Sequence, residues 1–450
     1  MASHRFCVDY RKLNAVTRKD AYPIPRIDDT LDTLSGACWF STLDMVSGYW
    51  QVEVGEKDRE KTAFCMPYGL YEFNVLPFGL CNGPATFQRL MDLVLSGLQM
   101  SQCLVYIDDV IVVGRTFDEH LCNLREVFGR VRGAGLKLKP SKCAFLQERV
   151  YYLGHEVSRK GVATDPTKIN QVAHWPVPQS VKDVQKFLGL ASYYRRFVRN
   201  FASIAKPLHR LTEKTATFEW TVECQAAFAE LRHKLCTAPV LAFPDFTKPF
   251  ILDTDASNTG IGGVLSQLDK QGQEHVIAFA SRTLSKSERR YCVTRRELLA
   301  VVVFTQQFRP YLLGREFTLR TDHGSLSWLQ SFKEPEGQLA RWLEKLQEFH
   351  FRILHRPGKK HTNADAMSQR PCDQCGRIDE DSFILQPSVD PEENNMATVS
   401  PVIMDASPVG DGTPAKLRQL LISNSFWKQR NRTPGLQTTS SKPRAQRSEN

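Results

Sequence analysis

The chain has 450 residues, of which 42% are hydrophobic and 24% charged, a balance that excludes a wholly disordered or low-complexity protein. Its length suits two or three domains, and its net charge of +10 favours a polyanionic partner. No apolar run reaches the roughly 18–20 residues of a membrane span, and the first residues form no apolar signal segment. The 12 cysteines are scattered, as is typical of reduced thiols. We therefore expect an intracellular, cytoplasmic protein with no membrane partner.

Three acidic residues in the first third of the chain stand at the ends of predicted strands. Asp44 follows the strand-like run 39–43, and Asp108 and Asp109 lie between two runs rich in branched apolar residues. This pattern predicts a hairpin with Asp-Asp at its turn. Taken alone, the two aspartates are explained as ordinary turn residues without a function, because Asp is common in turns. With Asp44 added, three carboxylates can hold two Mg²⁺ ions about 3.5–4 Å apart.

Helical spacing of apolar residues predicts helices in the same region. Residues 27–34 follow a Pro-rich break, and the stretches 84–98 and 117–134 each place their apolar residues on one face. Strands and helices therefore mix over residues 1–157. The first region is expected to form one α+β unit.

The next region, residues 158–245, is predominantly helical. Ser180 and Asp183 are spaced as a capping box at the start of an amphipathic helix. The helix leads into the run 193–197, which alternates aromatic and basic residues. This run is interpreted either as the basic outer face of a packed helix or as a surface that contacts nucleic-acid phosphates.

A second set of carboxylates follows, in residues 246–371, where strands precede helices and a further strand. Its members are Asp255, Glu297, Asp322 and Asp365. Four carboxylates from different elements repel each other unless cations neutralise them, so a second two-metal site is predicted. Asp253 competes with Asp255, because residues two apart share one face of a strand.

Residues 372–450 are polar, rich in Pro and Gly, and basic at the end, so we expect disorder there. Cys372 and Cys375 form a close pair, but no second pair lies nearby to complete a structural zinc site.

Five segments, taken in order, closely resemble the reverse transcriptase of gypsy-type long-terminal-repeat retrotransposons. They are 41–52, 76–88, 106–109, 135–143 and 152–155. Residues 246–371 resemble the ribonuclease H domain of the same elements. The resemblance implies an α+β and α/β multidomain chain: a right-hand polymerase with partial fingers, palm and helical thumb, then a ribonuclease H-like mixed α/β domain and a disordered tail. The expected boundaries are 1–157, 158–245, 246–371 and 372–450.

The resemblance also implies roles for individual residues. The polymerase metal site would comprise Asp44, Asp108 and Asp109, and the nuclease metal site Asp255, Glu297, Asp322 and Asp365, each with two Mg²⁺ or Mn²⁺ ions. The nucleotide-binding residues would be Arg5, Tyr49, Phe78, Gly79 and Lys142, with Tyr49 excluding a 2′-hydroxyl and Lys142 a possible general acid. The template-primer would contact Tyr152, Leu153, Gly154, Arg195 and Arg196. His355 is assigned to nuclease catalysis, with His361 as its rival.

The implied activity is RNA-directed DNA polymerisation with ribonuclease H cleavage. The expected partners are an RNA or DNA template-primer, an RNA–DNA hybrid and deoxynucleoside triphosphates, with the oligomeric state left open. The motifs begin almost at residue 1, and neither a protease nor an integrase motif accompanies them. The chain is therefore expected to be a fragment of a polyprotein with a truncated fingers region. A non-catalytic nucleic-acid-binding remnant is the alternative.

Overall fold

A computed structural model describes residues 7–214, 216–321 and 337–355. Arg5, Asp322, Asp365, His361 and the whole predicted tail lie outside these residues. No helix in the described ranges is long and apolar enough to cross a membrane.

Helices and strands alternate along the described chain. The helices are α1 (Arg11–Val16), α2 (Ile27–Asp32), α3 (Glu56–Arg59), α4 (Gly83–Val94), α5 (Phe117–Gly133), α6 (Pro166–Ala173), α7 (Val181–Tyr193), α8 (Phe201–Arg210), α9 (Val222–Cys236), α10 (Val293–Gln307), α11 (Arg309–Leu312) and α12 (Gly337–Gln347). The strands are β1 (Trp39–Asp44), β2 (Phe64–Met66), β3 (Gly69–Tyr71), β4 (Cys103–Tyr106), β5 (Asp109–Gly114), β6 (Ala144–Gln147), β7 (Arg149–Tyr152), β8 (His155–Ser158), β9 (Gly161–Thr164), β10 (Phe250–Ala256), β11 (Gly260–Leu268), β12 (Glu274–Thr283), β13 (Glu316–Thr321) and β14 (His350–His355). Short 3₁₀ helices lie at Gly48–Gln51, Glu60–Thr62, Pro140–Lys142, Arg195–Phe197 and Glu288–Arg290.

The palm is a four-stranded antiparallel sheet in the order β4-β5-β1-β6. Its residues alternate between two cores, because successive side chains in a strand point to opposite faces. Cys103 and Val110 pack with α4 and α5 on one face, whereas Leu104 and Ile111 face the helical region that follows. The predicted helices at 84–98 and 117–134 are confirmed as α4 and α5. The sheet is thus covered on both sides.

The helical region begins with a three-stranded antiparallel meander, β7-β8-β9, and continues through α6 to α9. The hydroxyl of Ser180 accepts a hydrogen bond from the amide of Asp183 at 3.3 Å and caps α7, as the sequence predicted. Buried residues of α7, α8 and α9 share one core with the meander and with the outer face of the palm. The thumb is therefore packed against the palm by a continuous apolar interior.

The last domain is a five-stranded sheet in the order β12-β11-β10-β13-β14. Its first three strands are antiparallel, whereas β10, β13 and β14 run parallel to each other. Helices α10 and α12 cover it and complete a separate core. This mixed arrangement agrees with the expected ribonuclease H-like fold.

Candidate active sites

The three palm carboxylates meet at one end of the sheet. Asp44 is the last residue of β1 and is paired in register with Asp109, the first residue of β5. Tyr106 pairs with Asp109, so the hairpin turn consists of Ile107 and Asp108 rather than of the two aspartates. The three aspartates therefore lie near one another beside the turn, although their side chains do not form a ready-made metal-binding group within the described ranges.

This convergence changes the electrostatics of the site. Burial, together with the charges of Asp108 and Asp44, raises the pKa of Asp109 to about 6. The ammonium group of Lys142 lies 3.0 Å from Asp44 Oδ2 and offsets part of the negative charge. A Cβ atom on Gly48 would lie only 3.2 Å from the Cβ of Asp108, so glycine lets the backbone approach the turn closely. The site concentrates negative charge that a cation would stabilise.

A buried glutamine in α4 holds the turn in place. Ile107 has φ of +57°, a left-handed conformation that is unusual for a β-branched residue. Its amide donates a 2.6 Å hydrogen bond to Gln88 Oε1, and Gln88 Nε2 donates to Asp92 Oδ1 at 2.8 Å. The sequence analysis missed Gln88. Its signal was a polar residue on the apolar face of a predicted helix, because a buried amide must find hydrogen-bond partners.

The predicted nucleotide-binding residues form an aromatic cluster next to the turn. The ring of Tyr49 lies 5.3 Å from that of Phe78 and 5.8 Å from that of Phe87. Burial and the nearby charge of Asp108 raise the pKa of Tyr49 to about 12. Gly79 has φ of +98°, which side-chain-bearing residues rarely adopt. The structure thus brings Tyr49, Phe78 and Gly79 to the edge of the carboxylate site.

The β7–β8 hairpin, where primer contacts were predicted, is fastened by the end of α7. The hydroxyl of Tyr193 donates to the carbonyl of Leu153 at 2.5 Å, and that of Tyr194 donates to the carbonyl of Gly154 at 2.6 Å. Tyr152 is only 3% exposed, and its hydroxyl donates to the backbone carbonyl of Asp109 at 3.4 Å. A direct nucleic-acid contact by Tyr152 is therefore not supported, because its side chain points into the protein.

The two thumb arginines also differ from the prediction. Arg196 is 8% exposed, and its guanidinium group pairs with Asp28 and Asp32 of α2. This burial is incompatible with the predicted phosphate contact, so that prediction is wrong for Arg196. Arg195 is exposed as a residue, but its Nη2 donates to the carbonyl of Ser281 at 2.9 Å.

The second set of carboxylates is described only in part. Asp255 is an exposed residue near the end of β10, and Glu297 is a buried residue of α10 whose Oε1 accepts a 3.1 Å hydrogen bond from the amide of Ala256. The rival Asp253 accepts two hydrogen bonds from Arg320, at 2.7 and 2.5 Å. Arg320 also pairs with Glu274, and the choice between Asp253 and Asp255 as a metal ligand stays a prediction.

His355 is the last residue of β14 and is paired in register with Thr321, the last described residue of β13. Because parallel strands end at the same edge of a sheet, His355 lies on the edge where β10 carries Asp255. Within the described ranges, no three His, Cys, Asp or Glu side chains form a ready-made metal-binding group. The assignment of ligands therefore remains a prediction.

Two protein families match the chain. Residues 1–157 match the reverse transcriptase (RNA-dependent DNA polymerase) family, and residues 245–349 match the RNase H-like domain found in reverse transcriptase. The first match contains Asp44, Asp108 and Asp109, and the second contains Asp255 and Glu297.

Similar proteins are retrotransposon polyproteins. The chain is 42% identical to the retrovirus-related Pol polyprotein from transposon 297 of Drosophila melanogaster, over 81% of this chain and 34% of that protein. It is 41% identical to the Pol polyprotein from transposon 412 of the same organism, over 81% and 29%. Identity to the transposon Tf2-3 polyprotein of Schizosaccharomyces pombe is 33%, over 84% and 29%. The chain thus spans about a third of the length of these relatives.

Solved structures agree with this grouping. The foamy viral protease-reverse transcriptase dRH in complex with double-stranded DNA superposes with a TM-score of 0.70 at 25% identity, covering 79% of this chain and 63% of that one. A second foamy viral protease-reverse transcriptase in complex with double-stranded DNA gives 0.69 at 25% identity, over 79% and 76%. The chain therefore contains a reverse transcriptase domain followed by an RNase H-like domain, and it is similar over 81% of its length to retrotransposon Pol polyproteins.

Proposed function

We propose that this chain is an RNA-directed DNA polymerase with an attached ribonuclease H. The observation that carries the proposal is that Asp44, Asp108 and Asp109 lie together at one end of the sheet, where burial and the neighbouring charges raise the pKa of Asp109 to about 6. Carboxylates crowded in this way favour a bound divalent cation over the free state. The template-primer, the RNA–DNA hybrid and the deoxynucleoside triphosphates are its proposed partners.

The residues present suit Mg²⁺ or Mn²⁺, because hard divalent cations prefer carboxylate oxygens. Asp44, Asp108 and Asp109 would hold the ions, and Asp44 would then exchange its contact with Lys142 for a metal contact. A bound pair of ions supplies Lewis-acid activation of the primer hydroxyl and neutralises charge on the phosphates. The protein contributes the framework, since register fixes Asp44 opposite Asp109 and Gln88 fixes the turn.

In polymerisation, the primer 3′-hydroxyl attacks the α-phosphorus of the bound nucleotide, and the bond to pyrophosphate breaks. Tyr49 packs between Phe78 and Phe87, so its ring cannot move aside easily. A 2′-hydroxyl would collide with this ring, which gives preference for deoxynucleotides. Lys142, freed from Asp44, would lie near the departing pyrophosphate as a cation or a general acid.

The nuclease would use Asp255 and Glu297 with Asp322 and Asp365. Glu297 is held by the amide of Ala256, the residue after Asp255, so the helix and strand carboxylates keep a fixed relation. His355 ends β14 at the same edge of the sheet, and we assign it to product release or proton transfer.

Primer extension by the purified chain tests the polymerase. Asp108→Asn should abolish extension, because a neutral amide is a poorer ligand for a divalent cation, while the affinity for template-primer should stay unchanged. Asp118→Asn is the control, since Asp118 is an exposed acidic residue in the first turn of α5. Extension by Asp108→Asn at the parental rate would contradict the proposal. Tight binding without extension in the parent would instead support a non-catalytic remnant.

A further inference from the structure

Three parts of the chain meet at a buried ionic cluster. Arg196 follows α7, and its Nη1 and Nη2 atoms lie 2.8 Å from Asp28 Oδ1 and 3.2 Å from Asp32 Oδ1 on α2. The hydroxyl of Tyr311, on α11 of the nuclease domain, donates a hydrogen bond to the other oxygen of Asp32. We call Asp28, Asp32, Arg196 and Tyr311 the junction cluster.

Two oppositely charged members of the junction cluster, Arg196 and Asp32, are buried. Arg196 is 8% exposed and Asp32 is 6% exposed, so neither charge can turn to water. A buried charge that loses its partner is strongly unfavourable, which ties each group to the others. Directional bonds to Asp32 from both Arg196 and Tyr311 therefore restrain the angle between α2, the end of α7 and the nuclease domain.

The same region makes backbone contacts with β12, the edge strand of the nuclease sheet. Arg196 Nη2 lies 3.4 Å from the carbonyl of Ile277, and Arg195 Nη2 lies 2.9 Å from the carbonyl of Ser281. The hydroxyl of Ser281 accepts a 2.9 Å hydrogen bond from the amide of Ala202 in α8. An edge strand has carbonyls free of sheet partners, and here two arginine side chains bind two of them.

The segment that precedes the nuclease domain is hydrogen-bonded through its backbone to β9 on one side and to β12 on the other. Val162 of β9 and Leu241 exchange two hydrogen bonds of 2.8 Å, and the amide of Ala242 donates to the carbonyl of Val276 in β12 at 2.8 Å. Gly161 permits this approach, because a Cβ atom there would lie 2.0 Å from the carbonyl oxygen of Leu241. The nuclease sheet is thus attached at its edge through both side chains and backbone.

We propose that the junction cluster is a positioning device that holds the nuclease domain in one orientation on the polymerase. It thereby sets the distance along an RNA–DNA hybrid between the extension site and the position of RNA cleavage. This inference rests on the proposed function for its functional consequence. Asp28, Asp32, Arg196 and Tyr311 are positioning residues, since none belongs to either set of metal-site carboxylates.

The test uses the full chain and two variants of different severity. The double variant Asp32→Leu with Arg196→Met removes both buried charges together, so that neither is left alone in an apolar environment. Tyr311→Phe removes only the hydroxyl that contacts Asp32 and keeps the ring in its aromatic surroundings. Arg130→Met is the matched control, because Arg130 forms an exposed ion pair with Glu126 on α5.

The functional readout is the length distribution of RNA fragments produced while the polymerase is stalled at a defined template position. The parent and Arg130→Met should give one dominant length. Both junction variants should give a broad distribution, while extension rate and total cleavage stay within about two-fold of the parent. A narrow, unshifted distribution in the double variant would overturn the proposal, as would a broad one in the parent.

Calorimetry provides a readout that does not require activity. The parent should unfold in one cooperative transition, and the double variant in two, because its domains are no longer coupled. Hydrogen exchange in α2 and β12 should rise in the same variant. An inactive parent that shows this behaviour would refute the proposed function but support the coupling. If the double variant unfolds in one transition and its hydrogen exchange is the same as in the parent, the inference is overturned. If it unfolds in two transitions but gives the same RNA fragment lengths as the parent, the positioning role is overturned.

Discussion

Replacing Gln88 by Met should slow nucleotide addition without weakening template-primer binding. Met fills a similar volume but cannot accept the 2.6 Å hydrogen bond from the amide of Ile107. That amide belongs to the turn that carries Asp108, and Ile107 stands at φ of +57°. Without Gln88, the turn is free to relax toward ordinary backbone angles and to move Asp108 away from Asp44 and Asp109.

The expected magnitude follows from two contributions. Leaving the Ile107 amide without its acceptor costs about 1–3 kcal/mol. Holding a non-glycine residue in a left-handed conformation costs on the order of 1–3 kcal/mol. In the parent protein, the contacts around the turn hold Ile107 in this conformation despite the cost. Because the two contributions add, restoring the productive turn in the variant should cost about 2–6 kcal/mol. The lower end of this range corresponds to a fall in kcat of roughly 30-fold.

Single-nucleotide extension under saturating template-primer measures kcat, and a separate titration measures the dissociation constant of the template-primer. Gln99→Met is the matched control, because Gln99 Nε2 donates to the same Asp92 Oδ1 at 2.9 Å but does not contact the turn. Its kcat should equal that of the parent. A kcat for Gln88→Met within about two-fold of the control would refute the argument that this side chain holds the turn.

Three further outcomes are expected. Because the pKa of Asp109 is raised to about 6, its carboxyl group keeps a proton at lower pH, which a divalent ion must displace. The affinity for Mn²⁺, measured by titration calorimetry, should therefore rise from pH 5 to 6 and level off above about pH 7. A flat profile would contradict the crowding of the carboxylates. Glu297→Gln should abolish cleavage of the RNA–DNA hybrid and leave primer extension intact. An equal loss of both activities would contradict this expectation. The affinity for template-primer should fall steeply as the salt concentration rises, and by a similar amount for different sequences, because the net charge is +10. Binding that does not depend on salt would contradict this expectation.

The palm was predictable because its signals are local. Runs rich in branched apolar residues predicted β4 and β5, a strand-like run predicted β1, and helical spacing predicted α4 and α5. The register of the hairpin was predicted one residue off, because both aspartates were placed in the turn whereas Tyr106 pairs with Asp109. The position of Asp44 opposite Asp109 depends on the pairing of β1 with β5, which the resemblance supplied and local patterns did not.

Arg196 shows where local reasoning fails. An alternating aromatic and basic run is the same pattern whether its arginine faces water or faces carboxylates distant in the sequence. Here the partners are Asp28 and Asp32, separated from Arg196 by 168 and 164 positions. No periodicity encodes such a contact. The choice between a solvated and a buried guanidinium group is made by tertiary packing, which brings α2 beneath the end of α7.

The hairpin that is predicted to contact the primer is hydrogen-bonded to the strand that carries Asp109. Tyr194, at the end of α7, holds the carbonyl of Gly154, and Tyr152 at the base of the same hairpin donates to the carbonyl of Asp109. Tyr194 and Tyr152 are 1% and 3% exposed, so neither can exchange its partner for water without opening the core. A shift of α7 is therefore expected to move the hairpin and, through it, the backbone of Asp109. Because buried packed contacts transmit small displacements, these hydrogen bonds couple the end of α7 to the strand that begins with Asp109, one of the predicted metal ligands.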